Sequence, residues 1–203
     1  LKPRNPLDTH RFYRNDNGKF TDISTEAGGQ TYHWGLSVCV SDLNRDGWQD
    51  VYVGVDFLQP DILYINNQNG SFTNRLDDYF QHTSRNTMGA DLADFDNDGQ
   101  VDLLAADMLP ADNKHRKTSA STPELSMYIS TVQNGYPEQV ARNVLQRNNG
   151  NGTFSDIGCL AGIYKTHWSW SSLLFDMDND GLRDMYITNG YMREINSRDF
   201  FNF

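Results

Sequence analysis

Short apolar runs separated by polar, glycine-bearing stretches make up most of this chain. Leu36-Ser-Val-Cys-Val40, Val51-Tyr-Val-Gly-Val55, Leu103-Leu-Ala-Ala106 and Met185-Tyr-Ile-Thr188 are rich in β-branched and aromatic residues and alternate roughly every second position. Runs that short with that composition predict strands. Asn-Gly pairs lie between Tyr13 and Phe20 and between Tyr64 and Phe72. There they predict tight hairpin turns whose central residues take positive φ.

The pattern repeats. Asn17-Gly-Lys-Phe20, Asn69-Gly-Ser-Phe72 and Asn151-Gly-Thr-Phe154 each precede an acidic nonapeptide of the form D-x-(D/N)-x-D-G-x-x-D. The three nonapeptides are Asp42–Asp50, Asp94–Asp102 and Asp176–Asp184, and each begins 22 residues after its Phe. One structural unit of two hairpins, or four strands, therefore recurs over residues 12–56, 62–107 and 144–190. A unit of ~50 residues has the size of one propeller blade. The expected class is all-β: about three four-stranded blades of a β-propeller.

Asp50 precedes Asn66 by 16 residues, but Asp102 precedes the matching Asn148 by 46, so 30 extra residues lie on that one connection. This insertion (108–143) opens with the basic quartet Lys114-His-Arg-Lys117, read as a small solvated patch. Pro123 stands at a plausible first helical position, and Leu125, Ile129 and Val132 recur at helical spacing. A short helix or two is expected there. Residues 191–203 form a C-terminal extension.

Four or five oxygen-bearing side chains in nine residues repel one another unless a cation sits between them. Oxygens at positions 1, 3, 5 and 9, with Gly at 6 and a backbone carbonyl offered at 7, form a metal-loop pattern suited to Ca²⁺. Mg²⁺ demands a stricter octahedron, and Zn²⁺ prefers nitrogen and sulfur. The candidate ligands in loop 1 are Asp42, Asn44, Asp46, the Trp48 carbonyl and Asp50. In loop 2 they are Asp94, Asp96, Asp98, the Gln100 carbonyl and Asp102; in loop 3, Asp176, Asp178, Asp180, the Leu182 carbonyl and Asp184. An EF-hand would carry Glu at position 12, where Val53, Ala105 and Ile187 stand. A solvated Asp/Asn/Gly turn is the plain alternative, and three copies in register weigh against it. With Asn44 and Arg45 in it, loop 1 is expected to bind most weakly.

D-x-D-x-D-G-x-x-D between short strands resembles the calcium loop of FG-GAP and VCBS-type repeats. These occur in integrin α-subunit propellers, the cartilage acidic protein family and large bacterial surface proteins. Tyr64–Thr73 and Gln146–Asp156 resemble the bacterial and cartilage-type version more closely. The resemblance covers residues 12–190 apart from the insertion. It implies a β-propeller, commonly seven-bladed, with up to three Ca²⁺ in this stretch. A literal Phe-Gly…Gly-Ala-Pro is absent, with Gly89-Ala90 one surviving piece. Three blades cannot close a ring, so the chain is expected to be a segment of a larger bacterial surface protein, completed by the remaining blades of the same polypeptide.

His33-Trp34 and His167-Trp168 stand nine and eight residues before their loops. A strand of that length places them at the far end of the blade from the metal, where His33, Trp34, His167, Trp168 and Trp170 would line a ligand-binding surface. A repeated packing signature is the alternative. There is no G-x-S-x-G, H-E-x-x-H, P-loop or dinucleotide fingerprint. Asp56, Asp91 and Asp107 stand outside the metal loops and are read as turn or edge residues. Asn69-Gly-Ser71 and Asn151-Gly-Thr153 match glycosylation sequons, but hairpin chemistry accounts for them.

The chain has 203 residues, 27 Asp+Glu against 17 Lys+Arg and a formal net charge of −10. Nucleic acid, which needs a basic footprint, is a poor partner. The three loops hold 11 carboxylates and two arginines; setting them aside leaves 16 acids against 15 bases. The acidity is thus concentrated in the metal loops, and three Ca²⁺ would offset six of the ten charges. No apolar run approaches the ~18 residues of a membrane helix, and no signal-peptide pattern heads the chain. Cys39 and Cys159 could form a single bridge, but two buried thiols are the expectation. The leading expectation is a calcium-stabilised binding or adhesion scaffold for protein or glycan, in a secreted, periplasmic or cell-surface protein. The alternatives are a propeller domain of a polysaccharide lyase or glycosidase, and a structural spacer.

Overall fold

In the computed structural model, residues 9–57, 59–118 and 125–191 are described. Along the chain come β1 (Tyr13–Asp16), β2 (Lys19–Asp22), β3 (Gly35–Ser41), β4 (Asp50–Val55), β5 (Ile62–Asn66) and β6 (Phe72–Asn74). Helix α1 (Leu76–Tyr79), β7 (His82–Ser84), β8 (Gly89–Ala93), β9 (Asp102–Ala106) and β10 (Met108–Leu109) follow. The insertion carries α2 (Asn113–Thr118), α3 (Leu125–Gln133) and β11 (Glu138–Val140). Then come β12 (Val144–Asn148), β13 (Phe154–Asp156), β14 (His167–Phe175) and β15 (Asp184–Asn189). Pro123 and the extension beyond Tyr191 lie outside the described residues.

Two complete four-stranded antiparallel sheets form, in the orders β3-β4-β5-β6 and β8-β9-β12-β13. Ahead of them stands the hairpin β1-β2, and after them β14-β15 with β10 added to the free edge of β14. Repeat and sheet are therefore out of phase. Each acidic loop joins the first two strands of a sheet, while the preceding Asn-Gly turn joins the last two strands of the sheet before it.

Alternation fixes which face each strand offers. Tyr52 on β4 and Leu63 and Ile65 on β5 pack with Leu43, Leu76 and Phe80 against Leu103 and Phe154 of the second sheet. Phe80 and Phe154 lie with ring centroids 4.5 Å apart. Val53, Val55, Ile62 and Tyr64 point the other way, toward Phe12 ahead of β1. Leu104 and Leu145 pack on Leu174 of the third sheet. Sheets stacked face to face through apolar layers make a propeller-like array. Strand β8 approaches β14 so closely that a Cβ on Gly89 would lie 2.5 Å from the Trp170 carbonyl oxygen.

Only the first Asn-Gly makes the tight turn expected of it: Asn17 and Gly18 have φ of 55° and 93° between the paired Asp16 and Lys19. The second turn holds five residues between β5 and β6, and its positive-φ positions are Gln68 and Gly70. Asn69 instead accepts hydrogen bonds from the amide and hydroxyl of Ser71. One more residue separates Tyr64 from Phe72 than Tyr13 from Phe20, which moves the reversal off the Asn-Gly pair.

Among the described residues the insertion forms two helices, and it reaches across neighbouring sheets. β10 pairs with β14, and β11 pairs in parallel with β7. Where it rejoins the sheet, Arg142 and His82 both donate to Asp156, at 2.5 and 3.0 Å. Despite burial, these bonds and the Gly158 amide hold that carboxyl down at about 2. The apolar stripe of α3 faces outward, with Leu125 72% exposed and Ile129 and Val132 nearly half exposed, while Thr131 is buried. The cysteines are thiols as expected, but neither is fully buried. Both are free, Cys39 is half-buried and Cys159 is exposed. Cys159 follows β13 in a turn, where no sheet covers it. Cys39 donates to the Ala90 carbonyl, and burial, with Asp91 nearby, raises its thiol to about 12.

At the end of the sheets away from the acidic loops sits a fully buried carboxylate. Asp61 accepts from the Val55 amide (2.7 Å), the Thr87 hydroxyl (2.8 Å) and the Tyr52 hydroxyl. Burial raises it to about 7 against those three donors, with Asp107 adding to the rise. Asn143 holds the matching position of the second sheet, five residues before Asn148 as Asp61 is before Asn66, and accepts from the Asp107 amide at 2.8 Å.

Two outcomes are expected. Phe154→Ala removes a side chain 3% exposed between two sheets and should cost about 3–5 kcal/mol in urea unfolding. Because Asp61 is raised when folded, its contribution is complete below pH ~4 and is lost as pH rises through about 7. Asp61→Asn should therefore flatten the decline in stability between pH 5 and 8 and melt higher than the parent at pH 8. Parallel pH profiles for the two proteins would refute this.

Candidate metal centre

The three acidic loops share one backbone path. The position-4 residues Arg45, Asn97 and Asn179 take φ of 59°, 59° and 61°, and the position-6 glycines Gly47, Gly99 and Gly181 take 88°, 82° and 87°. A left-handed pair at 4 and 6 turns the chain back on itself, and glycine makes the second such residue inexpensive. The position-1 carboxylate anchors the turn. Asp42, Asp94 and Asp176 each accept from the amides at positions 5 and 6, at 2.9–3.1 Å. Asp46, Asp98 and Asp180 accept from the position-7 amide.

Position 9 is different in kind. Asp50 and Asp102 are fully buried at the first residue of β4 and β9. Asp50 accepts from the amides of Leu43 (3.0 Å) and Asn66 (2.9 Å), and Asp102 from those of Phe95 (3.0 Å) and Asn148 (2.8 Å). Asp184 accepts from Met177 at 2.9 Å. Burial raises Asp102 to about 6, its two amide donors oppose that, and Asp96 and Asp98 add to the rise. Asp50 shifts the same way, from burial first.

Carboxylate oxygens of Asp94, Asp96 and Asp102 lie within 4.8 Å of one another, as do those of Asp176, Asp178 and Asp184. In loop 1 the Asn44 amide donates to Asp46 at 3.1 Å, which satisfies part of that carboxylate internally. The donor set is all oxygen, and its charge is raised against itself by crowding and burial. Those properties fit a hard divalent cation of the Ca²⁺ type. Gln100 and Leu182 stand at position 7 with Trp48, their amides turned toward the position-5 carboxylates.

The aromatic and histidine candidates sit at the starts of β3 and β14, at the opposite strand ends from loops 1 and 3. Trp34 is 66% exposed and lies edge-on to Phe57 at 5.1 Å. The His33 carbonyl accepts from His10. Trp168 packs on Tyr191 at 4.3 Å, His167 meets His115 of the insertion edge-on at 5.2 Å, and Trp170 packs against Gly190. Strand β8 lies between β3 and β14, so each His-Trp pair packs in its own neighbourhood. Of the carboxylates outside the loops, Asp56 caps the turn at Phe57, and Asp91 accepts from Leu174 of the third sheet at 2.7 Å. Asp107 is neither a turn nor an edge residue. It is buried and accepts from Ser84, Arg85, Asn86 and Met108. Asp61 escaped the sequence reading because an Asp after Pro at the head of an apolar run reads as a turn.

Stacked antiparallel sheets with an acidic loop between the first two strands of each define an all-β, propeller-like repeat protein. A family model for the FG-GAP-like repeat matches residues 5–53 and 42–105. The chain is an FG-GAP-like repeat protein. Comparison with curated proteins gave no match.

Asp102 and Asp96 should separate fold from ligand. In EDTA, Asp102→Ala strips two buried amides of their acceptor and should cost about 1–3 kcal/mol. Asp96→Ala, on an exposed loop, should leave the metal-free melting temperature within a degree or two. Equal losses for both variants would overturn the distinction.

Proposed function

We propose that this FG-GAP-like repeat segment is a calcium-stabilised scaffold of a secreted, periplasmic or cell-surface protein, which presents a rigid surface to a protein or glycan ligand. The observation that carries the calcium reading is the convergence of three carboxylates within 4.8 Å in loops 2 and 3. Each set is built by the same left-handed turn; in loop 2 the buried member, Asp102, is pushed up by its burial, and in loop 3 the partly buried Asp184 is held by the Met177 amide. A bound divalent ion supplies the positive charge those oxygens lack. Positions 1, 3, 5 and 9 of each loop would hold it through side chains and position 7 through its carbonyl. Millimolar extracellular calcium would keep loops of this kind filled, and resting cytosolic calcium would not.

Further blades are supported by the faces of the first-sheet strands. Met88 on the way into β8 is buried, and Ala90 and Leu92 pack against the core between the first two sheets. Leu36, Val38 and Val40 occupy the same three positions before loop 1, and each is at least half exposed. A preceding sheet, of which β1-β2 would be the outer hairpin, would bury them as the first sheet buries Met88. No helix among the described residues is long and apolar enough to cross a membrane.

A site held at a hundred times its dissociation constant adds about 2.7 kcal/mol. EDTA should therefore lower the melting temperature by several degrees, and Ca²⁺ should restore it much better than Mg²⁺. A melting curve indifferent to EDTA and Ca²⁺ would defeat the calcium reading.

A further inference from the structure

The three acidic loops are not separate in space. Asn97, at position 4 of loop 2, donates its side-chain amide across 84 residues to the Gly181 carbonyl of loop 3, at 2.8 Å. That carbonyl belongs to the Gly181–Leu182 peptide, whose N–H donates to Asp180 Oδ1 at 2.7 Å. The same peptide plane is thus held at one end by loop 2 and at the other by a candidate ligand of loop 3. A second bridge joins loop 1 to loop 2. The Asn148 side chain donates to the Leu43 carbonyl at 3.2 Å, while its backbone amide donates to Asp102 Oδ1 at 2.8 Å. The Leu43 amide in turn donates to Asp50. Asn148 is 3% exposed and Leu43 2%, so water does not compete freely for this bridge.

We propose that Asn97 and Asn148 are positioning residues that couple the three loops, so that filling one loop with calcium raises the affinity of its neighbour. The proposal rests on the calcium reading above. A loop that is ordered by its ion holds its position-4 or position-9 residue in place. Through Asn97 the order of loop 2 fixes the Gly181–Leu182 peptide, which donates to Asp180 and immediately precedes the position-7 carbonyl of loop 3. Through Asn148 the order of loop 2 is shared with the backbone of loop 1. Each neighbour then loses less conformational freedom when its own ion binds, which is positive coupling without any change of fold.

The glycines at position 6 provide one reporter per loop, because the amides of Gly47, Gly99 and Gly181 each donate to the position-1 carboxylate. The experiment is a CaCl₂ titration of the whole chain followed by the ¹⁵N–¹H resonances of these three glycines. Asn97→Gly removes the bridging amide and keeps the positive φ of 59° within reach of the new residue. It should shift the Gly181 midpoint to calcium concentrations at least threefold higher, with no ligand of loop 3 altered. Asn179→Gly, the same change at position 4 of loop 3, removes no bridge to another loop among the described residues and should leave the Gly99 midpoint where it was. Melting temperatures in EDTA should be equal for the two variants, which separates coupling from general destabilisation. If Gly181 titrates identically in Asn97→Gly and the parent, the coupling is wrong and the calcium reading stands. If none of the three glycine resonances responds to calcium, both fall.

Discussion

One carboxylate per repeat, the aspartate closing each acidic loop, governs how the chain is assembled. Asp50 and Asp102 stand at the first residue of their strands, wholly out of solvent. Each uses one oxygen to close its own loop on the position-2 amide and the other to hold the third strand of the sheet through Asn66 or Asn148. Burying a charge is costly unless it is hydrogen-bonded or paired. Here two backbone donors satisfy part of each carboxylate, and the rest faces the other oxygens of the loop. The same group is therefore a structural splice and, in the calcium reading, a ligand, so the fold and the metal site cannot vary independently.

The half-unit offset between repeat and sheet follows from this arrangement. Each repeat contributes the outer hairpin of one sheet and the first two strands of the next, so its acidic loop sits one sheet along from its Asn-Gly turn. Phe72 and Phe154, the aromatics after the Asn-Gly turns, then sit on outer strands that pack toward neighbouring units: Phe72 near Phe12, and Phe154 against Phe80. The insertion adds to this stitching. It lies between the second and third strands of one sheet, yet β10 extends the third sheet and β11 pairs with β7, which Gln146 and Asp156 of the second sheet hold through His82.

Much of this was legible in the sequence, because spacing survives when contacts are unknown. The acidic loops, their glycines, the flanking strands and the extra length after Asp102 all follow from residue type and register. The phase of the sheets was not legible, since periodicity shows that a unit recurs without showing which strands pair laterally. Nor were the bridges through Asn97 and Asn148, which join residues 84 and 105 positions apart. Asn148 served as a register mark for the insertion, and nothing local marks it as a donor to Leu43. In α3 the spacing of Leu125, Ile129 and Val132 gave the helix correctly, but helical spacing does not say which side faces the protein. The buried side is marked by Thr131.

The two ends of the sheets use carboxylates in opposite ways, and comparing equivalent positions shows the difference. At the loop end, aspartate stands at positions 1, 5 and 9 in all three repeats, and only position 3 of loop 1 exchanges it for Asn44. At the other end, Asp61 in one sheet and Asn143 in the next accept the same strand-ending amide, that of Val55 or Asp107. An amide oxygen serves there as well as a carboxylate, so that position requires an acceptor and not a charge. Burial raises Asp61 to about 7, as it raises Asp102 at the loop end to about 6; what differs between the two ends is the exchange for Asn. A loop that needed only acceptors would be equally free to exchange Asp for Asn. In the calcium reading, a bound cation accounts for the persistence of charge at positions 1, 5 and 9, where mutual repulsion makes it costly and backbone capping needs only an acceptor.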